Sequence, residues 1–376
     1  MRITTVPIAV PMMRLVLFRM VLVLTAFALV VLVSLSSGAR FGIMVLIGLG
    51  FGIVLEGLRF GFAGPWRTMI LYREPAGILA QLLAIGLVAC VAIPMLAFHP
   101  TELSGAQAPI GWAMIGGAFV FGAAMQIILG CGSGTLVNAG SGNPVSLVAL
   151  PFFALGSFAG AYHIFWWTDL GSLPIMTLEG GAGLVGTLIL LIIMAGIFLI
   201  LGKKGSRSLP RRYIIAAIFI AVLAICNLLV SGQPWGVVYG LGLWAAKGAV
   251  VLGFDLSSST YWAASSSVGR LNSSVLTDYT SLTNIGMLAG AFGVSVWRNR
   301  DLGHSVPSYP LSTWFVVIVA GLALGYASRL AFGCNVGAFF SGISTGSLHG
   351  WVWFIAAFMG AFLGIRIRFV VGLKPS

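Results

Sequence analysis

Two cysteines occupy the same five-residue motif, Gly-Cys-x-x-Gly, at 130–134 and 333–337. Cys131 and Cys334 lie 203 residues apart, and the match extends to flanking positions at the same offset. Thiols are weak hydrogen-bond donors, and as thiolates they are nucleophiles or metal ligands. A single buried cysteine is explained by its small size alone, but the same spacing twice favours a functional role. The matched flanking pairs are Gly122 with Gly325, Ala124 with Ala327, and Ser141 with Ser344.

The other two cysteines point to ordinary packing. Cys90 and Cys226 lie inside apolar segments, without the glycines that bracket the first pair. None of the four belongs to a Cys-x-x-Cys pair or has histidines at metal-ligand spacing, so a zinc site or a redox dithiol is unsupported. We therefore predict reduced thiols, no metal and no cofactor.

Each motif stands at the end of a long apolar run, which predicts a helix that breaks inside a membrane. Unwound backbone survives in a bilayer only where it lines a cavity, so a duplicated break is typical of a solute path. Hydroxyl and amide side chains follow both breaks. They can cap the next half-helix, whose N-terminal N–H groups favour an anion, or they can simply satisfy the broken backbone. The residues concerned include Ser133, Thr135, Asn138, Ser141 and Asn143 after Cys131, and Asn335, Ser341, Ser344, Thr345 and Ser347 after Cys334.

Composition determines the class of protein. Hydrophobic residues make up 59% of the chain and charged residues 7%, and the mean hydropathy is +1.06. Apolar runs of about 20 residues, the length that spans a bilayer, recur throughout. We predict an all-α polytopic membrane protein of about 9–11 transmembrane helices, with broken or re-entrant half-helices and the lipid bilayer as its surroundings.

The formal net charge of +12 reflects topology. Five Lys and Arg residues crowd the loop 202–212, and the positive-inside rule places that loop in the cytoplasm. The segment 59–76 and the C-terminal Arg366, Arg368 and Lys374 are expected on the same side, whereas the loops 99–108 and 168–180 carry only acidic charge and are expected outside. Nucleic-acid binding is disfavoured, because no basic helix or aromatic-basic module accompanies the charge.

The basic loop divides the chain into two halves. We predict an additional N-terminal transmembrane helix at 1–40, in preference to a cleaved signal peptide, a first repeat half at 41–201 and a second at 213–376. Each half holds one cysteine hairpin, 109–167 or 312–368, and the flanking charges place the two on opposite faces, as in an inverted repeat. Crossings at 213–231, 235–254 and 277–297 would leave residue 298 on the wrong face, so we expect an extra half-pass within 255–276.

A third, weaker copy of the motif lies near the start. Gly52, Gly61 and Gly64 repeat the spacing of Gly122, Cys131 and Gly134, so that Gly61 stands where the other copies carry cysteine. A fourth copy around 240–253 is too degraded to align. The architecture predicted is one of four related hairpins.

Acidic residues are informative by their scarcity. The chain has only eight, and Glu56 is the one inside a predicted membrane segment, three residues before Arg59 on the same helical face. A proton- or cation-coupled carrier usually keeps several intramembrane carboxylates. Their shortage favours an anionic or neutral solute, and we interpret Glu56 and Arg59 as a structural pair.

Three segments resemble the signature regions of the YeeE/YedE thiosulfate transporters: 59–67 (Arg-Phe-Gly-Phe-Ala-Gly-Pro-Trp-Arg), 130–135 and 333–337. The resemblance runs from about residue 41 onward. It implies an hourglass-like inner-membrane protein, built on inverted repeats, that imports thiosulfate for sulfur assimilation. In that family three cysteines pass the anion along a narrow path by S–H···S hydrogen bonds, and a TusA-like cytoplasmic sulfurtransferase is a common partner. This chain departs from the pattern at Gly61, so either two thiols suffice or the solute is another sulfur or selenium compound.

The function predicted is therefore a transporter or facilitator for a small sulfur-containing anion, with thiosulfate the leading candidate. Cys131 and Cys334 are the predicted relay residues, and Ser141 and Ser344 are secondary candidates. The rival is a membrane sulfurtransferase or thiol oxidoreductase, but no His, Lys or Asp lies near either cysteine in sequence to activate it. A third alternative is an accessory or sensor subunit without transport. The glycines predicted to shape the constriction are Gly61, Gly130, Gly134, Gly333 and Gly337.

Overall fold

The protein is described here by a computed structural model that covers residues 12–298 and 309–372. Among these residues, nine helices are long and apolar enough to cross a membrane. The predicted all-α, polytopic class is thereby confirmed. Lys374, one of the residues used to predict the side of the C-terminus, lies outside the described residues.

The helices of the two cysteine hairpins begin and end close to the predicted bounds 109–167 and 312–368. The first half of the chain contains α1 Met12–Ser37, α2 Ala39–Gly57, α3 Ala63–Tyr72, α4 Ala76–Phe98, α5 Trp112–Ile128, α6 Gly132–Gly140, α7 Pro144–Tyr162, α8 Ile164–Thr168 and α9 Gly180–Leu201. The second half contains α10 Arg211–Ser231, α11 Val238–Val251, α12 Ser265–Asn272, α13 Tyr279–Arg298, α14 Leu311–Leu330, a π-helix Asn335–Phe340, α15 Ser341–Ser344 and α16 His349–Val370.

Loop contacts identify the two ends of the bundle. At one end the N–H of Ser104 donates to the carbonyl of Gly232, with 2.9 Å between N and O. We call this the Gln107 end; it holds the loops 99–111 and 168–180. At the other end Arg298 donates to the carbonyls of Glu56 and Gly57, and we call it the Arg59 end. The basic loop 202–210 joins the Arg59 end, because the N–H of Lys203 donates to the carbonyl of Arg73 at 2.9 Å.

The segment 235–254 differs from its prediction as a full crossing. Its helix, α11, has only 14 residues. The chain leaves the Gln107 end at Gly232 and is back there at Tyr279, whose ring stacks on that of Phe41 at 5.2 Å between centroids. α13 then runs the full length of the bundle beside α2 and brings Arg298 to the Arg59 end. Because α11 does not cross, the chain starts α13 from the Gln107 end and residue 298 reaches the expected end of the bundle. No half-pass within 255–276 is needed.

The two cysteine hairpins enter the bundle from opposite ends. The first (α5, α6, α7) begins and finishes at the Gln107 end, and the second (α14, the π-helix, α15, α16) begins and finishes at the Arg59 end. They pack reciprocally: α5 lies along α16, α7 lies along α14, and α5 also meets α14. Six glycines make this contact possible, because a Cβ on any of them would stand between 1.9 and 2.6 Å from a carbonyl oxygen of the facing helix. The facing pairs are Gly122 with Ala357, Gly325 with Phe153, Gly156 with Leu322, Gly360 with Phe119, Gly160 with Tyr326 and Gly364 with Ala123.

The three aligned helix breaks share one backbone geometry. Arg59, Leu129 and Phe332 hold the same position in the three copies, and all are left-handed, with φ of 54°, 59° and 54°. This conformation costs a non-glycine residue about 1 kcal/mol, yet it recurs in each copy. The residue that follows donates its N–H to the carbonyl five residues earlier, which closes the end of the helix. These bonds are Phe60 to Leu55 (3.1 Å), Gly130 to Met125 (3.1 Å) and Gly333 to Ser328 (2.8 Å).

Candidate functional site

The broken segments meet at the centre of the bundle around three aromatic rings. Phe62 follows the first break, Trp235 lies in the segment between α10 and α11, and Phe340 ends the π-helix. The ring centroids are 6.4 Å apart for Phe62 and Trp235, 6.0 Å for Phe62 and Phe340, and 5.7 Å for Trp235 and Phe340. All three side chains are buried. The segments that carry them are far apart in the sequence and meet inside the bundle.

Side-chain amides and a hydroxyl satisfy the carbonyls that these breaks expose. An unpaired carbonyl is costly at membrane depth, and a side-chain donor from a neighbouring helix removes the penalty. Gln81 of α4 serves the first break twice, because its oxygen also accepts the indole N–H of Trp66 at 3.1 Å. The donors and acceptors are Gln81 Nε2 to Gly61 O (2.9 Å), Gln126 Nε2 to Ala63 O (3.0 Å), Asn284 Nδ2 to Val237 O (2.9 Å) and Ser341 Oγ to Trp235 O (2.7 Å).

Cys131 caps the half-helix that follows it. Its Sγ accepts the backbone N–H of Gly134 at 3.5 Å, and it lies 3.4 Å from the hydroxyl oxygen of Ser133. Asn143 performs the same function for α7, because its Oδ1 accepts the N–H of Ser146 at 3.1 Å. The half-helix α6 is therefore capped by the thiol, whereas Asn143, the residue among those predicted to cap that does so, caps the full-length helix α7.

Cys334 lies where the two motifs touch. Its side chain is fully buried, like that of Cys131. A Cβ built on Gly132 would stand 2.9 Å from Cys334 Sγ and 3.2 Å from its Cβ. The thiol of Cys334 therefore occupies the space that Gly132 leaves free by having no side chain. Gly132 is the residue directly after Cys131.

A cavity of about 160 Å³ opens at the Arg59 end between the first and second breaks. We call it the Arg59 cavity. The carboxylate of Glu56 lies there, 3.3 Å from the guanidinium of Arg59 and 4.0 Å from that of Arg298. Two guanidiniums beside one carboxylate leave a net positive charge at the opening of this cavity. The predicted pair of Glu56 and Arg59 is present. The lining includes Glu56, Arg59, Gly61, Gly64, Gly130, Ser133, Gly134 and Asn138.

A second cavity, of about 430 Å³, opens at the Gln107 end beside the break after α14. We call it the Arg329 cavity. The guanidinium of Arg329 lies over the ring of Tyr261 at 4.8 Å and over that of Tyr239 at 5.6 Å. Among the described residues, no carboxylate lies within ion-pair distance of Arg329. The lining includes Gln107, Phe165, Tyr239, Tyr261, Ser328, Arg329, Phe332, Gly333 and Gly337.

The two cavities approach the buried thiols from opposite ends. Gly130 and Gly134, on either side of Cys131, line the Arg59 cavity. Gly333 and Gly337, on either side of Cys334, line the Arg329 cavity. Both thiols are fully buried. The arrangement is a cavity at each end of the bundle, with the two thiols buried between them.

The predicted glycines differ in what they do. Gly130 and Gly333, the first glycines of the motifs, are sterically required: a Cβ would stand 2.6 Å from Thr135 Oγ1 in one and 2.7 Å from the backbone N of Ala338 in the other. Gly333 also has a φ of 151°. Gly61, by contrast, has open space within 4 Å of the place where a Cβ would be, as does Gly337, the second glycine of its motif. A Cβ on Gly134 would make ordinary contact with Cys131 Sγ at 3.6 Å.

The secondary candidates Ser141 and Ser344 bond to their own helices. The hydroxyl of Ser141 donates to Val137 O at 3.0 Å, and that of Ser344 to Ser341 O at 3.4 Å. Ser141 lies at the Arg59 end, where its carbonyl accepts the hydroxyl of Ser295. Their assignment to the path stays a prediction.

Sequence reasoning missed Arg329. The signal was present, because Arg329 is a lone cation near the end of an apolar segment, five residues before Cys334. Its match in the other copy, at the same offset of 203 residues, is the buried Gln126. The comparison of these two positions would have shown that a polar residue precedes each cysteine by five positions.

The fold and the site together define a polytopic membrane protein with two buried thiols between cavities that open at opposite ends. Residues 58–363 match the sulphur transport family, and the chain belongs to this family. It is a family of transporters, which confirms the prediction of a transporter over an enzyme. It also agrees with the resemblance that the three signature segments carry.

Relatives of this chain carry more specific names. A protein described as thiosulfate transporter TsuA, from Spirochaeta thermophila, is 26% identical over 336 residues, which cover 82% of this chain and 93% of that protein. Proteins described as probable transporter YedE, from Escherichia coli and Salmonella typhimurium, are 29% and 28% identical over 151 and 153 residues. Each of those two matches covers 40% of this chain and 36% of the relative.

Proposed function

We propose that this protein carries thiosulfate across the cell's inner membrane, from the Arg329 cavity to the Arg59 cavity, by way of Cys334 and then Cys131. The observation that carries the proposal is the position of the two thiols, both buried, in matching helix breaks behind cavities at opposite ends. The name of the relative from Spirochaeta thermophila supports thiosulfate as the solute.

The chemistry of the thiols suits this anion. Thiosulfate has a soft terminal sulfur and three oxygens, and an S–H group is a weak donor that can bind the sulfur without holding it tightly. Conduction requires sites that are weak enough to release the solute, and several weak sites in series meet this requirement. The net positive charge at the Arg59 cavity and the cation in the Arg329 cavity attract an anion to both mouths.

The orientation follows from the distribution of charge. The basic loop 202–212 and Arg73, Arg298 and Arg368 belong to the Arg59 end, whereas Glu102, Asp169 and Glu179 belong to loops at the Gln107 end. By the positive-inside rule the Arg59 end faces the cytoplasm. The described parts of 41–201 and 213–376 are then inverted halves, and α1 is an added helix. A TusA-like sulfurtransferase would receive the sulfur at the cytoplasmic mouth.

Uptake by the purified chain in proteoliposomes tests the proposal directly. Vesicles are given labelled thiosulfate, with sulfate, sulfite and selenosulfate as competitors. We expect saturable uptake of labelled thiosulfate that selenosulfate inhibits and sulfate does not. Uptake equal to that of empty vesicles would contradict the proposal. If a selenium compound is taken up in preference to thiosulfate, that compound is the solute.

A further inference from the structure

The amide of Asn335 is buried without a hydrogen-bond partner. Asn335 directly follows Cys334 and is fully buried. Within the part of the chain that the structure describes, neither its Oδ1 nor its Nδ2 has a partner. The sequence allowed this side chain to cap the following half-helix, but it makes no capping bond to the π-helix.

Thr135 is the corresponding case beside the first thiol. It lies one helical turn after Cys131 and is fully buried, and its hydroxyl has no partner among the described residues. A buried helical Thr usually donates to the carbonyl four residues earlier, as Thr345 does to Ser341 at 2.7 Å. The hydroxyl of Thr135 instead lies against the first glycine of the motif, because a Cβ on Gly130 would stand 2.6 Å from it.

Several other polar side chains at the breaks do donate hydrogen bonds. The amide nitrogens of Gln81 and Gln126 and the hydroxyl of Ser341 all donate to exposed carbonyls of the breaks. Burial of a polar group without a partner is unfavourable, so native structures pair nearly all of them. Among the described residues around the two thiols, the amide beside Cys334 and the hydroxyl beside Cys131 have no partner, and the indole N–H of Trp235 in the aromatic cluster has none either.

The two donors are also complementary between the copies. At the offset of 203 residues, the position of Asn335 is matched by Gly132, and that of Thr135 by Ala338. Each half thus supplies a donor where the other half has a residue that cannot supply one. Since Gly132 lies against Cys334, the two motifs that carry these donors are in contact.

We infer that Asn335 and Thr135 bind the oxygen atoms of the transported anion, while Cys334 and Cys131 bind its terminal sulfur. The inference rests on the proposed function and adds to it the residues that distinguish the two poles of the solute. The amide N–H and the hydroxyl donate to the sulfonate oxygens, and these bonds to a charged acceptor are stronger than those that a thiol makes.

Half-saturation of thiosulfate uptake in proteoliposomes tests this assignment. Thr135→Val keeps the volume and the branching of the side chain and removes only the donor. It is expected to raise the half-saturating concentration about tenfold, as the loss of one bond to a charged group does. Asn335→Leu is expected to act in the same direction. Asn335→Asp is expected to reduce uptake further than Asn335→Leu, because it sets a carboxylate beside the anion.

The matched control is Thr187→Val. Thr187 of α9 is likewise fully buried, and its hydroxyl also lacks a partner among the described residues, but it lies away from the breaks. Its variant is expected to keep the wild-type half-saturation. Gel filtration and thermal melting verify that each variant is folded, and if Asn335→Leu is not, Thr135→Val carries the test alone.

The outcomes separate this inference from the function on which it rests. Wild-type uptake with an unchanged half-saturation in Thr135→Val would overturn the assignment and leave thiosulfate transport standing. An equal effect in Thr187→Val would also overturn it, because the loss would then report a general cost in stability. Absence of thiosulfate uptake by the wild type would overturn the proposed function itself.

Discussion

Cys334 and Gly132 are in direct contact: the thiol of one fills the space where the other lacks a side chain. A Cβ on Gly132 would stand 2.9 Å from Cys334 Sγ, which is closer than real Cβ atoms approach. Gly132 follows Cys131, so this contact joins the two motifs, which enter the bundle from opposite ends. The glycine after Cys131 therefore makes room for the thiol of the other motif.

Gly132→Ala tests this contact. The added methyl has to displace a fully buried thiol, and overpacking of this kind costs about 1–3 kcal/mol. We expect thiosulfate uptake to fall about tenfold, because the displaced group is one of the two proposed relay thiols. Initial rates in proteoliposomes measure the effect. The control is Gly293→Ala in α13, where a Cβ has open space within 4 Å; equal rates in the two variants would show that the contact has no role in transport.

The thiols themselves are tested by single substitutions. Cys131→Ala and Cys334→Ala each remove one of the two relay positions, and we expect each to abolish thiosulfate-dependent growth at normal expression. Cys90→Ala and Cys226→Ala are the matched controls, since Cys90 is exposed on α4 and Cys226 is only half-buried on α10. Both controls are expected to grow like the wild type. Normal growth of the Cys131 and Cys334 variants, and of their double variant, would rule out the relay.

The positions of the breaks could be predicted because local rules determine them. A glycine-bracketed cysteine at the end of an apolar run predicts a helix end, and the structure ends α5 at Ile128 and α14 at Leu330. The opposite entry of the two hairpins could also be predicted, since acidic loops flank the first hairpin and arginines flank the second. Both predictions needed only residues close together in the chain.

The short α11 could not be predicted in this way. Composition alone makes 235–254 long and apolar enough to cross, but hydropathy does not measure depth. Trp235 is held at the centre of the bundle, where its ring stacks on Phe51 at 3.9 Å between centroids. Contacts between residues so distant in sequence also place Gln81 on Gly61 and Arg329 over Tyr261. Such contacts were outside the reach of motif spacing.

Gln81→Leu tests how the first break is stabilised. The substitution leaves Gly61 O and the indole N–H of Trp66 without their partner, and each buried group left unpaired costs about 1–3 kcal/mol. We therefore expect purified Gln81→Leu to melt at a clearly lower temperature in detergent. Gln233→Leu is the control, because the hydrogen bonds of Gln233 run through its backbone N–H and carbonyl. Similar melting of both variants would mean that the amide of Gln81 adds no stability.

The sidedness of the protein is tested by labelling two exposed positions. Thr101 lies at the Gln107 end and Ser208 in the basic loop at the Arg59 end, and both are exposed. We expect a membrane-impermeant maleimide to label Thr101→Cys in intact cells, and Ser208→Cys only after the membrane is permeabilised. The unsubstituted protein, with its own four cysteines, gives the background. Labelling of Ser208→Cys in intact cells would reverse the orientation.

Gly61→Cys restores the thiol that the family resemblance leads one to expect. A Cβ at this position has open space within 4 Å, and Gly61 lines the Arg59 cavity beside Gly130 and Gly134. We expect the variant to fold like the wild type and to lower the half-saturating concentration for thiosulfate about two- to fivefold, the effect of one added weak hydrogen bond. Gly61→Ser is the control, because it adds a side chain of similar size without the sulfur. If both variants leave the half-saturation unchanged, the solute does not pause at this position, and two thiols are enough for transport.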